Sequence, residues 1–392
     1  MKEGWEYKRF DEIMSPAKVE RCGNRIDLPV LSITMRGGIV EQNDRFKKTI
    51  ASLDRTNYKI VKDGQLVIAF PIDEGLLYTQ DVAPEGIMSP AYNIWDVDYS
   101  QIDRRFLVAY FHSTFAFAYY KAKLRGSTQR RRSMDKADLL SMPIPVPSID
   151  NQQQIVSELD LLSGVIEKQK AQLEELDKLA QSIFYDMFGD PVSNDKDWAV
   201  IQLGDKCEVT SFKRVLIEEV VEEGIPFIRG TELTALSKMT NSENYEFSLF
   251  ITPDHYERVK AISGVPSVGD LLIPSINADG NIWILDTSKP RYFKDGRVLW
   301  VHVNHDVYTS SALKYIMQVL LKDTYSDMAS GATFAELKLF VLRELKIILP
   351  PLYLQQEFAA KVEAIEAMKA KVRQSLKEVE TLFNERMDYY FN

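Results

Sequence analysis

Six basic side chains fall between Lys121 and Arg132, with no acid among them. They are Lys121, Lys123, Arg125, Arg130, Arg131 and Arg132. Ser127, Thr128 and Gln129 lie between them, after Gly126. Ammonium and guanidinium groups neutralise phosphates, and hydroxyl and amide groups bond phosphate oxygens or base edges. Arginine also pairs in two-pronged fashion with guanine. Glycine lets the backbone approach a ligand closely. The run therefore reads as a DNA-contact segment. Further candidates are Arg36 beside Gly37-Gly38, Lys213, Arg214, Arg229 and Thr231. Ser275 and Asn277 follow a hydrophobic run, and Thr333 stands in a Gly-Ala-Thr turn matching Gly126-Ser-Thr128. The surroundings of Thr333 are much less basic than those of Thr128.

Bond-making chemistry has no comparable signature. The chain lacks a Gly-x-x-x-x-Gly-Lys-Ser/Thr phosphate loop. It lacks an Asn/Asp-Pro-Pro-Tyr/Phe motif, since Pro350-Pro351 has Leu349 before it. A Gly-x-Gly loop for a methyl-donor nucleotide is also missing. His302 and His305 are three residues apart on an expected strand, where such positions face opposite sides, and no third ligand is near in sequence. Cys22 and Cys207 are far apart and form no Cys-x-x-Cys pair, which argues against a disulfide framework or zinc site and fits a reducing compartment such as the cytoplasm. The start, Met1–Phe10, is polar and reads as no secretory leader. Phe106–Tyr120 is too short and too polar to span a bilayer and is expected as a buried helix.

The net charge of −9 runs against nucleic-acid binding. Its distribution softens that. Residues 1–150 hold 22 basic and 20 acidic side chains, while 151–190 hold 3 and 8. Local patches matter more than the total for DNA contact.

Something must hold two sets of contact residues in place, and the chain supplies it twice. Val146-Pro-Ser-Ile-Asp-Asn-Gln-Gln-Gln-Ile155 and Leu349-Pro-Pro-Leu-Tyr-Leu-Gln-Gln-Glu-Phe358 align at an offset of 203, without a gap to Phe188 and Phe391. Heptad spacing appears in both. The first seam is Ile155, Leu159, Leu162, Ile166, Gln169, Leu173, Leu176, Ala180, Ile183 and Met187. The second is Phe358, Val362, Ile365, Lys369, Val372, Leu376, Val379, Phe383, Arg386 and Tyr390. A 3.5-residue period of this length predicts coiled-coil helices, and the polar seam residues Gln169, Lys369 and Arg386 can fix register. Prolines 143, 145 and 147 precede one helix and prolines 350 and 351 the other, as suits a helix start. Asp150 with Gln153 reads as a capping box, and Gly189-Asp-Pro191 as a stop. The segments before each helix echo each other at shifting offsets: Tyr58–Ile68 with Val265–Ile273, Val30–Thr34 with Phe227–Thr231, Trp5 with Trp198. Each reads as α+β, with a helix near 102–121 matched by one near 309–323. The expected domains are 1–148, a long helix in 149–190, a second domain at 191–350 and a long helix in 351–392.

The chain resembles the specificity subunits of type I restriction–modification systems over nearly its whole length. The carriers are the Trp-led domain starts, Asn57–Gly64, Gly86-Ile-Met-Ser-Pro-Ala-Tyr92, the Gly-Ser-Thr and Gly-Ala-Thr turns, and above all the paired Pro-x-x-x-x-Gln-Gln segments. The resemblance implies two target recognition domains, each reading half of a split DNA sequence. It implies that the helices pair antiparallel as a spacer. It further implies two adenine-N6 methyltransferase subunits as partners, with restriction subunits able to join. S-adenosylmethionine, ATP and Mg are then expected on partner subunits, with none in this chain, and no catalysis by the chain itself.

Elementary geometry agrees. A helix of about 35 residues is roughly 50 Å long, and a turn of B-DNA is about 34–36 Å. Domains at the two ends of such a rod could address one duplex about a turn apart. A competing reading is a non-DNA adaptor whose coiled coil gathers two partners. The overall charge favours that reading; the basic run and the duplicated plan favour the first.

Overall fold

The computed structural model describes residues 5–25, 27–35, 37–42, 55–125, 133–239, 241–276, 280–329 and 336–392. It divides into two compact units, Met1–Gln169 with Ser375–Asn392, and Lys170–Gln374.

The first unit is built on a four-stranded sheet in the order Met14–Pro16, Asn93–Val97, Leu66–Ile68, Leu77–Thr79, with every neighbour antiparallel. Each strand is short and mostly apolar, bounded by Gly, Asp and Pro turns, so one sheet face can be buried. A two-stranded ladder pairs Glu6–Arg9 with Pro143–Val146. Pro143 and Pro145 thus sit inside a strand, although prolines here suggested only a helix start. They are tolerated because they alternate along a two-stranded ladder, where every second backbone N–H is not needed for pairing. The core joins Phe10, Leu66 and Trp95 to Phe106 and Phe111, and to Ile155, Leu159 and Phe391 of the long helices.

The helix expected near 102–121 is two helices, Arg104–Phe111 and Thr114–Lys123. Asp103 caps the first by accepting from the N–H groups of Arg105 and Phe106. Ser113 caps the second by accepting from Ala116 N–H. The polar side chains in this apolar stretch therefore mark a helix start, not merely a polar interruption. Its counterpart in the second unit is one continuous helix, Ser310–Ala329.

The second unit repeats the plan. Its four-stranded sheet runs Glu208–Ser211, Val298–His302, Leu271–Pro274, Trp283–Ile284, again antiparallel throughout. Ala199–Gln202 pairs with Lys346–Leu349 as the matching ladder. The core gathers Leu271, Leu299 and Val301, then Leu313 and Ile316, around Phe184, Phe188 and Phe358.

The long helices are Ile149–Phe188 and Leu352–Phe391. Every seam position named from the heptads is buried or half-buried, while most of their neighbours are exposed. Ser148, not Asp150, sits at the first helix start, accepting weakly from Asn151 N–H at 3.4 Å. The helix has already begun at Ile149, so Asp150 lies inside it. Gly189 ends it with φ +73°, and a β-carbon there would fall 2.1 Å from Asp195 Oδ1. Only glycine fits both conditions.

Within each unit the two helices run antiparallel. In the first unit Glu158 meets Arg386 and Gln169 Nε2 donates to Ser375 Oγ at 2.7 Å. In the second, Phe188 packs edge-on against Phe358 at 5.2 Å between ring centres, and Lys369 Nζ reaches Asp177 Oδ1 at 2.7 Å. All three polar seam residues therefore meet a partner on the facing helix.

Candidate nucleic-acid interface

The basic run begins at the end of helix Thr114–Lys123 and enters the strand Leu124–Arg125, which pairs with Ser133–Met134. Ser127, Thr128, Gln129, Arg130, Arg131 and Arg132 lie outside the described residues, as do Arg36, Asn277 and Thr333. Lys121 is exposed. Lys123 and Arg125 face acids that the run itself does not contain. Lys123 Nζ lies 3.0 Å from Asp138 Oδ1, and Arg125 lies 2.6 Å from Asp135 and 3.2 Å from Asp138. The hydrogen bond to Asp138 raises the Lys123 ammonium above its ordinary value, and Lys123 in turn holds the Asp138 carboxyl below its own. A phosphate contacting Lys123 or Arg125 must compete with these carboxylates. Lys123 and Arg125 keep much of their surface in solvent, where ion pairs are weak, so these pairs orient the cations without sequestering them.

In the second unit three candidates converge. Arg229 and Thr231 flank Gly230 at the start of helix Gly230–Leu236. A β-carbon on Gly230 would touch Pro274 and the Arg297 carbonyl, at 3.8 and 3.7 Å. Ser275 adjoins Pro274, and its N–H donates to that same Arg297 carbonyl at 3.0 Å. The likeness between Val30–Thr34 and Phe227–Thr231 holds only in part: Thr34 ends a strand, whereas Thr231 lies in a helix. Arg229 Nη2 pairs with Glu232 Oε1 at 2.5 Å, and Thr231 Oγ1 donates to Glu232 Oε2 at 2.9 Å. The hydrogen bond to Glu232 raises the Arg229 guanidinium above its usual value. Burial pushes the Glu232 carboxyl up, but its bonds from Arg229 and Thr231 win and leave it below the usual range. Arg229 and Thr231 remain exposed at their outer edges. Ser275 is fully buried, and its hydroxyl has no partner among the described residues.

Lys213 and Arg214 are exposed on a segment anchored by Phe212 and Val215, in the same core as Phe227, Ile228 and Leu233. Tyr292 fixes that segment: its hydroxyl accepts from Lys213 N–H at 2.9 Å and donates to Lys213 O at 3.1 Å. Two cations at this place were not singled out in the sequence. Arg297 lies 3.6 Å and Lys338 2.7 Å from the Glu336 carboxylate, beside the bridge between Ile276 and Glu336. Neither stands in a basic run, so only the fold assembles them.

His302 ends the strand Val298–His302 with Nδ1 3.0 Å from Asp270 Oδ1. Asp270 is buried and also accepts from Trp300 Nε1 and Val303 N–H, which makes it an internal anchor. Among the described residues there is no group of three or more metal-ligating side chains, and no helix long and apolar enough to cross a membrane.

Residues 3–178 match the type I restriction modification DNA specificity domain. Among curated relatives, a putative type I restriction enzyme specificity subunit of Haemophilus influenzae, S.HindORF215P, is 24% identical over 267 residues, or 67% of this chain and 66% of that protein. The type I restriction enzyme MjaVIII specificity subunit of Methanocaldococcus jannaschii is 22% identical over 297 residues, again 67% and 66%. The chain thus spans just under two thirds of the length of these relatives. In fold the likeness extends to the whole chain. A type I restriction–modification S subunit from M. genitalium aligns with a TM-score of 0.56 at 15% identity, over 98% of this chain and 95% of that one. A chain from a structure of type I complex assembly and conformational transition aligns with a TM-score of 0.59 at 16% identity, over 100% and 98%. Residues 3–178 thus match the specificity domain of type I restriction–modification systems, the whole chain shares the fold of type I S subunits, and the resemblance read from its prolines and glutamines is borne out.

Proposed function

We propose that this chain is the DNA specificity subunit of a type I restriction–modification complex. Each globular domain reads one half of a split target. The antiparallel helices set the gap and dock two adenine-N6 methyltransferase subunits, and two restriction subunits join these to complete the nuclease form. Catalysis, with S-adenosylmethionine, ATP and Mg, belongs to those partners, and the complex works in the cytoplasm.

The observation that carries this reading is a contrast. The two four-stranded sheets share one strand order, and the long helices share length and heptad phase. The candidate contact surfaces differ: Lys121–Arg132 is a dense basic run, whereas the second unit offers scattered Lys213, Arg214, Arg229 and Arg297. A fixed spacer with two unlike readers suits a target whose halves differ. Phosphate contacts from such cations position the duplex, and base-edge contacts specify it. An adaptor without DNA would need neither the basic run nor the duplicated reader.

The test is a binding assay of the chain with its methyltransferase partner on a library of split sites at moderate salt. The account expects one pair of half-sites to be enriched over random DNA. Equal recovery of every sequence would reject it.

A further inference from the structure

Two buried glutamines stand at matched places in the repeat. Gln152 is the fourth residue of the first long helix and Gln355 the fourth of the second. Both are fully buried. Gln152 Nε2 donates to Pro147 O at 2.8 Å and to Gln101 O at 3.1 Å, while its Oε1 accepts from Asp103 N–H at 2.6 Å. Gln355 Nε2 donates to Pro350 O at 2.8 Å and to Val307 O at 3.0 Å, while its Oε1 accepts from Thr309 N–H at 3.0 Å.

These are the same three bonds written twice. One closes the Pro turn that leads into the long helix. The other two reach the loop that starts the domain's own helix, Arg104–Phe111 or Ser310–Ala329. Asp103 caps the first of these, and Thr309 accepts from Ala312 N–H at the head of the second. Each amide spends both N–H donors and its oxygen on backbone groups. These three bonds therefore do not use the partner side chains: Gln101 and Asp103 in one unit stand where Val307 and Thr309 stand in the other.

Burying glutamine for packing alone makes little sense, since it is among the residues usually left exposed. Apolar contacts would fill the space without regard to direction. Hydrogen bonds weaken steeply when bent, so three of them fix an angle. We propose that Gln152 and Gln355 are positioning residues that lock each recognition domain to its own spacer helix, and so determine how sharply the complex discriminates the gap between half-sites. This rests on the function proposed above.

The experiment uses the full chain in complex with its methyltransferase partner. Duplexes carry the two half-sites enriched by the unaltered complex, with the gap lengthened or shortened by one or two base pairs. Gln152→Met and Gln355→Met keep the shape and remove the bonds. The unaltered complex should prefer one gap by about tenfold or more, a difference of about 1.4 kcal/mol. Each Met variant should lose most of that preference while keeping its base preference within both half-sites. Gln152→Glu, which keeps the acceptor and loses the donors, should fall between and serves if Gln152→Met does not fold. A folded variant with full gap preference overturns the proposal. So does a variant that loses base preference in its own half-site together with the gap preference. An unaltered complex indifferent to every split target would instead reject the proposed function.

Discussion

Arg386 on the second long helix grips Glu158 on the first. Its Nη2 donates to Glu158 Oε2 at 2.8 Å and its Nε to Oε1, and Tyr390 adds a hydroxyl donor to the same carboxylate. An arginine in a heptad seam looks like a defect when read as sequence. Here its fork matches a carboxylate on the facing helix, which specifies register as well as attraction.

That pair predicts a pH dependence. The Arg386 guanidinium first, and then the Tyr390 hydroxyl, hold the Glu158 carboxyl below its ordinary value. A carboxyl with a depressed folded value adds stability that is present above the unfolded value, about 4.3 for glutamate, and lost as pH falls through the folded one. Arg386→Leu should therefore lower the melting temperature at pH 7, and the difference from the unaltered chain should shrink as pH drops below about 4. Thermal scans across that range check it. A difference that grows on acidification would contradict the pairing.

Lys369 makes a different prediction. It is buried in the seam, with Asp177 at 2.7 Å and Glu366 at 2.6 Å. A polar seam residue limits alternative pairings at some loss of stability. Lys369→Leu should melt no lower than the unaltered chain. It should also form more self-associated species, as apolar seams accept more partners and registers. Light scattering together with a thermal scan checks both; a lower melting temperature with an unchanged mass would count against the role in register.

Salt dependence tests the basic run. Replacing Arg130, Arg131 and Arg132 by Ala should weaken DNA binding at moderate salt. If all three neutralise phosphates, the slope of log affinity against log salt should fall by about 3. Titrations at several salt concentrations measure this, and an unchanged slope would remove these arginines from the interface.

Spacer length gives the fourth prediction. Removing four residues from each helix would shorten the spacer but throw the seam out of phase; seven residues keep it in phase. That deletion shortens each helix by about 10 Å, so the preferred gap should contract by about three base pairs at about 3.4 Å per step. Selection from a library of gap lengths reads the result. The original gap surviving the deletion would sink the idea that helix length sets it.

The two long helices were legible in the sequence because their signal is periodic and local: Ile155 to Met187 and Phe358 to Tyr390 repeat every 3.5 residues. The shared plan of the domains was legible because it is written twice. Contacts between distant residues were not. Nothing adjacent to Gln152 announces that its amide will meet Asp103, nor does the run Lys121–Arg132 disclose its pairing with Asp135 and Asp138. The break between Phe111 and Thr114 was hidden for the opposite reason. Apolar residues continue through it, and only the Ser113 cap marks the new helix. Ser275 reads as a contact candidate in the loop after a hydrophobic run, but the strand Leu271–Pro274 carries it into the interior.

The central claim is that one chain reads two half-sites at a fixed separation. Sequencing the methylated adenines left on random DNA by the complex of this chain with its methyltransferase partner tests it most directly. The account predicts methylated adenines within a two-part motif whose halves differ and whose gap is constant. A single contiguous motif, or methylation without a motif, would contradict it.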